Sequence, residues 1–114
     1  MTKLSKKQRK QVRELLDLAY TRELSEALGQ LETDFSRWRA SEIDAFELDE
    51  KIHKHHQGPS RKIWKLYASA SDWELALPGA LYRGALSIED FPNDLWDAIG
   101  LRIEEIKKGL FEHA

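Results

Sequence analysis

"YTRELSEALGQLETDFSRW", residues 20–38, decides the fold. Tyr20, Leu24, Leu28, Leu31, Phe35 and Trp38 recur at intervals of four and three. That spacing returns a side chain to one face of an α-helix, and over about two and a half heptads it makes a seam of the coiled-coil kind. Upstream, Val12, Leu15, Leu16 and Ala19 extend the apolar face, with some drift of register. Ser5-Lys6-Lys7-Gln8 has the form of a capping box, Ser5 as cap and Gln8 reaching back. Nothing interrupts the pattern before about Ala40. Some ~35 residues at ~1.5 Å each span roughly 50 Å, whereas a compact chain of this length has a radius of gyration of only about 13 Å. The rest of one chain cannot cover so long an apolar face. The seam is therefore expected to meet a second copy, with Leu24, Leu28, Leu31, Phe35 and Trp38 as the dimer interface. The alternative is a basic first third that overhangs in water and frays.

Downstream, Asp44-Ala45-Phe46-Glu47 is a second capping box, and Ile43 and Leu48 around it fit a hydrophobic staple. A second helix is expected from Ala45 to near Gln57, with Leu48 and Ile52 on its core side. Gly58 suits a left-handed C-terminal cap and Pro59 the first turn of a third helix carrying Ile63, Trp64, Leu66 and Tyr67. Ser71-Asp72-Trp73-Glu74 opens a fourth helix, which Pro78 is expected to kink or divide. "SIEDFP" (87–92) reads as a turn, and Leu95, Trp96, Ile99, Ile103 and Ile106 line a last helix. Gly84 and Gly100 mark helix ends or close approaches. The prediction is a dimeric all-α protein of one domain. About residues 1–57 form a dimerising stalk and about 58–114 a compact helical head.

The 114 residues carry 18 Lys and Arg against 20 Asp and Glu. A balance so near zero argues against generic nucleic-acid binding, which draws on a strong positive field. The signs are unevenly spread: residues 1–13 hold six bases and no acid, residues 14–50 eleven acids and three bases. The basic run reads as a solvated helix start or as a contact for phosphate or an acidic partner. There is no cysteine, so no disulfide framework and no thiolate chemistry. No apolar signal core opens the chain, and no apolar run approaches the ~20 residues of a membrane span. A cytoplasmic, bacterial-type protein that binds no membrane is expected.

"IHKHHQGPSR", residues 52–61, gathers three of the four histidines. His53 and His56 are three apart and share a helix face with Glu50 and Gln57 nearby. Two histidines and a carboxylate can ligate zinc or another transition metal, which would make the chain a small metal-binding protein or metal-dependent enzyme. Histidines in a last turn also cap carbonyls and suit the negative end of the helix dipole, or form a polar contact with a partner. The residues leave these readings open. No nucleophile elbow, P-loop or dinucleotide fingerprint is present. The four tryptophans, at helical spacing, suit a core or a dimer interface.

"AYTRELSEALGQLE" (19–32), "IDAFELDEKIHKHH" (43–56) and "LYRGALSIEDF" (81–91) together resemble the cyanobacterial fluorescence recovery protein family and its bacterial relatives. The resemblance covers roughly residues 15–108 in the same order. It implies an all-α fold whose long helical hairpin dimerises and carries a helical head. It also implies a non-enzymatic, cofactor-free regulator that binds the C-terminal domain of the orange carotenoid protein and returns it to its resting state. Phe46 stands where the family has tryptophan, Asp49 and Glu50 where it has a His-Asp pair, and His56 where it has arginine. With His53, these residues form the partner-binding surface that the resemblance implies. Phe46 keeps an aromatic anchor without the indole N–H, and His56 replaces a permanent charge by a titratable one.

Overall fold

The computed structural model describes residues 3–68 and 72–111, which contain helices and no strand. The helices are α1 (Lys6–Arg39), α2 (Ala45–His55), α3 (Arg61–Ala68), α4 (Trp73–Tyr82) and α5 (Asn93–Leu110). Ser5 caps α1 as its sequence predicts: its hydroxyl accepts from the Gln8 N–H at 3.0 Å, and Gln8 Oε1 accepts from the Ser5 N–H at 2.9 Å. From there α1 runs 34 residues without a break. The molecule measures 55 × 34 × 23 Å with a radius of gyration of 17.6 Å, well above the about 13 Å of a compact chain this long. At ~1.5 Å per residue α1 fills almost the whole long axis.

The core lies at the start of α1, not along its seam. Val12, Leu15, Leu16 and Ala19 are buried with Tyr67, Leu77, Ala80, Leu86, Phe91, Leu95, Ile99 and Ile103. Each large side chain so covered contributes about 1.5–3 kcal/mol. The basic first third of α1 is thus anchored rather than frayed, because its apolar stripe supplies one wall of the head. The core of the head thus draws on residues of α1 as well as on residues after 57.

At its far end α1 stops in a Schellman turn. Ser41 adopts a left-handed φ of 61°; its N–H donates to the Trp38 carbonyl at 3.0 Å and the Glu42 N–H to Arg37 at 2.8 Å. Asp44 then caps α2 by accepting from the Glu47 N–H at 2.8 Å. Ile43 and Leu48 are buried on either side, as a staple requires. α2 and α3 both pack back onto α1. Ile52 departs from expectation: it is 36 % exposed rather than facing a core.

The second correction is the junction at Gly58-Pro59. No left-handed stop occurs there; the left-handed glycine of the described residues is Gly84, at φ 80°. The backbone instead passes from α2 to α3 through a π-turn, His56–Ser60, with Pro59 inside it. Proline has no N–H to give the carbonyl four residues back, and its ring would collide with it in an α-turn. One extra residue in a widened turn relieves both conflicts, so the helix continues instead of ending.

α4 starts at Asp72, whose carboxylate accepts from the Glu74 N–H at 3.0 Å. Pro78 is buried within α4 and does not divide it, although the Glu74 carbonyl forgoes its usual donor. The helix closes on Gly84 with Gly84 N–H to Leu81 at 3.1 Å and Ala85 N–H to Ala80 at 2.9 Å. "SIEDFP" folds as a short 3₁₀ turn, Ile88–Asp90, before α5. Leu95, Ile99 and Ile103 are fully buried on α5. The Trp96 ring lies over Gly100, where an added Cβ would stand 2.6 Å from Cε2, and meets Phe91 edge-on at 5.0 Å.

Candidate functional site

α2 turns its buried Leu48 inward, so Phe46, Asp49, Glu50 and His53, at spacings of three, one and three, fall together on the outer side. All four are exposed. Phe46 is 88 % exposed, more than the other large apolar side chains of the described residues. Glu50 pairs with Lys54 at 3.2 Å along the helix. His56 leaves this strip. It belongs to the π-turn and lines a hollow with Tyr20, Gln57, Ser60, Arg61 and Trp64. His55 is half-buried.

Helix-end capping by these histidines loses its basis, because α2 has no free end there. The His56 N–H donates to the carbonyls of Ile52 and His53, and the chain stays helical beyond. Among the described residues no group of three or more His, Asp or Glu side chains is placed to hold a metal ion.

The apolar seam of α1 is only partly covered by its own chain. Leu24, Leu31 and Phe35 are half-buried, Leu28 is 47 % exposed and Trp38 40 %. Of the other tryptophans, Trp73 and Trp96 pack against the head core, while Trp64 is 54 % exposed.

A polar lock joins α1 to the head, and nothing in local sequence spacing announces it. The Tyr67 hydroxyl donates to Glu23 Oε2 at 2.6 Å, Arg83 Nε donates to Glu23 Oε1 at 2.7 Å, and Arg83 Nη2 donates to the Tyr67 oxygen at 3.3 Å. Burial, and then the Glu23 carboxylate, push the Tyr67 phenol up to about 12. The Tyr20 ring stacks on Tyr67 at 5.2 Å and 9°. One residue before Glu23, Arg22 holds Asp90 through two bonds of 2.7 and 3.1 Å and also donates to the Ala85 carbonyl at 3.1 Å. The Arg22 bonds, followed by the Ser87 N–H, hold the Asp90 carboxyl down at about 2. Residues 19–32 and 81–91, noticed separately in the sequence, therefore interlock through Arg22–Asp90 and Glu23–Arg83. Their only possible sequence signal was complementary charge some sixty residues apart.

No helix among the described residues is long and apolar enough to cross a membrane. Comparison with protein-family models, with curated proteins and with solved structures gave no match.

Proposed function

We propose that this protein is a homodimeric, non-enzymatic helical interaction module of the fluorescence-recovery-protein kind. It binds a partner protein through Phe46, Asp49, Glu50 and His53 on the outer side of α2. The observation that carries this reading is the 88 % exposure of Phe46 on a strip of charged and polar side chains. Covering such a ring is worth about 1.5–3 kcal/mol, and an aromatic anchor inside a polar rim is the usual composition of a binding hot spot. The half-open seam of α1 supports self-association through Leu24, Leu28, Leu31, Phe35 and Trp38. The partner is a domain resembling the C-terminal domain of the orange carotenoid protein. Regulation follows from unequal affinity for the partner's two states.

The test mixes the protein with such a carotenoid-protein domain and measures complex formation by size exclusion with light scattering, then the rate at which the photoactivated partner recovers. A complex and faster recovery are expected, both lost in Phe46→Asp. The free protein is expected at twice its 13.3 kDa chain mass, and Leu31→Lys to lower that mass by placing a charge in the seam. No complex with any such domain would refute the partner assignment. A strictly monomeric mass at high concentration would refute the dimer.

A further inference from the structure

The hollow that takes in His56 has a construction of its own. Tyr20 comes from α1, His56, Gln57 and Ser60 from the π-turn, and Arg61 and Trp64 from α3. Its volume is about 520 Å³, inside the roughly 300–1,000 Å³ range of small-molecule sites. Tyr20 is a fixed wall: its ring stacks on Tyr67, which Glu23 and Arg83 hold in turn. Trp64 offers a second ring, more than half open.

Charge separates this hollow from its neighbours. Along α1, Lys10 and Arg13 share a hollow with Glu14 and Asp17. At the tip, the lining holds Glu42, Asp44 and Glu47. On the head, Asp72 faces Lys65 and Arg83 in one hollow, and Asp72 and Glu74 face Arg102 in another. Each of these brings its own carboxylate. The hollow of His56 and Arg61 contains none. Nor do the side chains of His56, Gln57, Ser60 and Arg61 make a hydrogen bond or ion pair with any described residue. A guanidinium, an imidazole, an amide and a hydroxyl thus line the hollow beside one rigid aromatic wall, none of them engaged by another described residue.

We propose that this hollow binds a small molecule bearing a planar ring and an anionic group. The ring stacks against Trp64 and Tyr20. The anion, a phosphate or a carboxylate, takes paired hydrogen bonds from Arg61, with Gln57, Ser60 and His56 around it. The site is independent of the partner-binding strip, which lies on α2.

Isothermal titration of the full chain tests it with 2-naphthyl phosphate and 2-naphthoate, and with 2-naphthol and inorganic phosphate as the two halves of the recognition. Saturable binding of one charged naphthyl compound per chain is expected, at least about tenfold tighter than either half. The tighter of phosphate and carboxylate names the natural anion. Arg61→Met and Trp64→Ala are each expected to weaken it by about tenfold or more, Trp64→Phe by less. Arg13→Met, in the self-neutralised hollow nearby, leaves it unchanged. Arg61 and Trp64 are exposed, so the variants keep the fold, which circular dichroism melts verify. Three results would overturn the proposal: no binding of either charged compound at millimolar concentration, naphthol binding as tightly as the charged compounds, or no effect of Arg61→Met. A fourth is a fall in oligomeric mass in Trp64→Ala without ligand binding in the parent chain, which would assign the hollow to a second copy.

Discussion

Between Ala40 and Asp44 the chain turns to pack back on itself; between His56 and Ser60 it continues as helix. The first junction uses backbone and cap hydrogen bonds donated by Ser41, Glu42 and Glu47 among others, and buries Ile43 and Leu48 beneath them. The second buries none of its own residues, and a Cβ on Gly58 would meet nothing within 4 Å. Residue identity runs opposite to conformation. A serine occupies the left-handed position that favours glycine, while the Gly-Pro pair, a familiar stop signal, lies inside continuous helix. Glycine and proline widen or narrow the options of a backbone. Which option is taken depends on whether the chain beyond has an apolar face to dock, and α3 does: Tyr67 is buried in the head core.

The sharpest way to break this contrast is Ile43→Ala. If burial fixes the first junction, unfolding in urea should show a loss of about 2–3 kcal/mol, the lower part of the range for a core isoleucine. A loss below about 0.5 kcal/mol, the scale of an ordinary surface change, would mean that the hydrogen bonds alone hold the turn. Ser41→Gly should act in the other direction. It removes the steric penalty of a side chain at positive φ and is expected to stabilise by about 0.5–1 kcal/mol after the entropy of a freer unfolded chain is counted. No gain in melting temperature would show that Ser41 is unstrained. The smallest effect belongs to Gly58→Ala. Within a helical turn with open space, alanine should be neutral or stabilise by up to about 0.5 kcal/mol, a fraction of the helix-propensity difference. A loss of about 1 kcal/mol in the same urea assay is what a left-handed Gly58 would give, and it would restore the helix stop.

What could be read ahead of the structure follows from the range of the interactions. Ser5 with Gln8, Asp44 with Glu47 and Leu95 with Ile99 lie three or four residues apart, so sequence spacing reports them directly. Val12, Leu15 and Leu16 showed as an extension of the apolar face, but not what covers them, because their partners on α4 and α5 begin some sixty residues later. The π-turn was hidden for a different reason: Gly-Pro is compatible with a stop or a widened turn, and only the docking of α3 selects between them. Helical spacing put His53 on a face with Glu50 nearby, while Phe46 and Asp49 entered through the family resemblance alone. The hollow at Arg61 and Trp64 was not legible, since its fixed wall, Tyr20, comes from another helix.

The placement of the core at the start of α1 also sets an order of events during synthesis. Residues 20–55 can close on themselves as soon as α2 emerges, through the turn at Ala40–Asp44. Leu15 and Leu16 must wait for Leu95, Ile99 and Ile103, so the first apolar stripe made is among the last to be covered. Such late, non-local closure slows folding and leaves apolar surface open meanwhile. The lysines and arginines interleaved with that stripe, Lys6, Lys7, Arg9, Lys10 and Arg13, keep the waiting segment charged and hydrated. Pulse-labelled hydrogen exchange during refolding should find the amides around Leu48 protected before those around Leu16; the reverse order would rule out a stalk-first route.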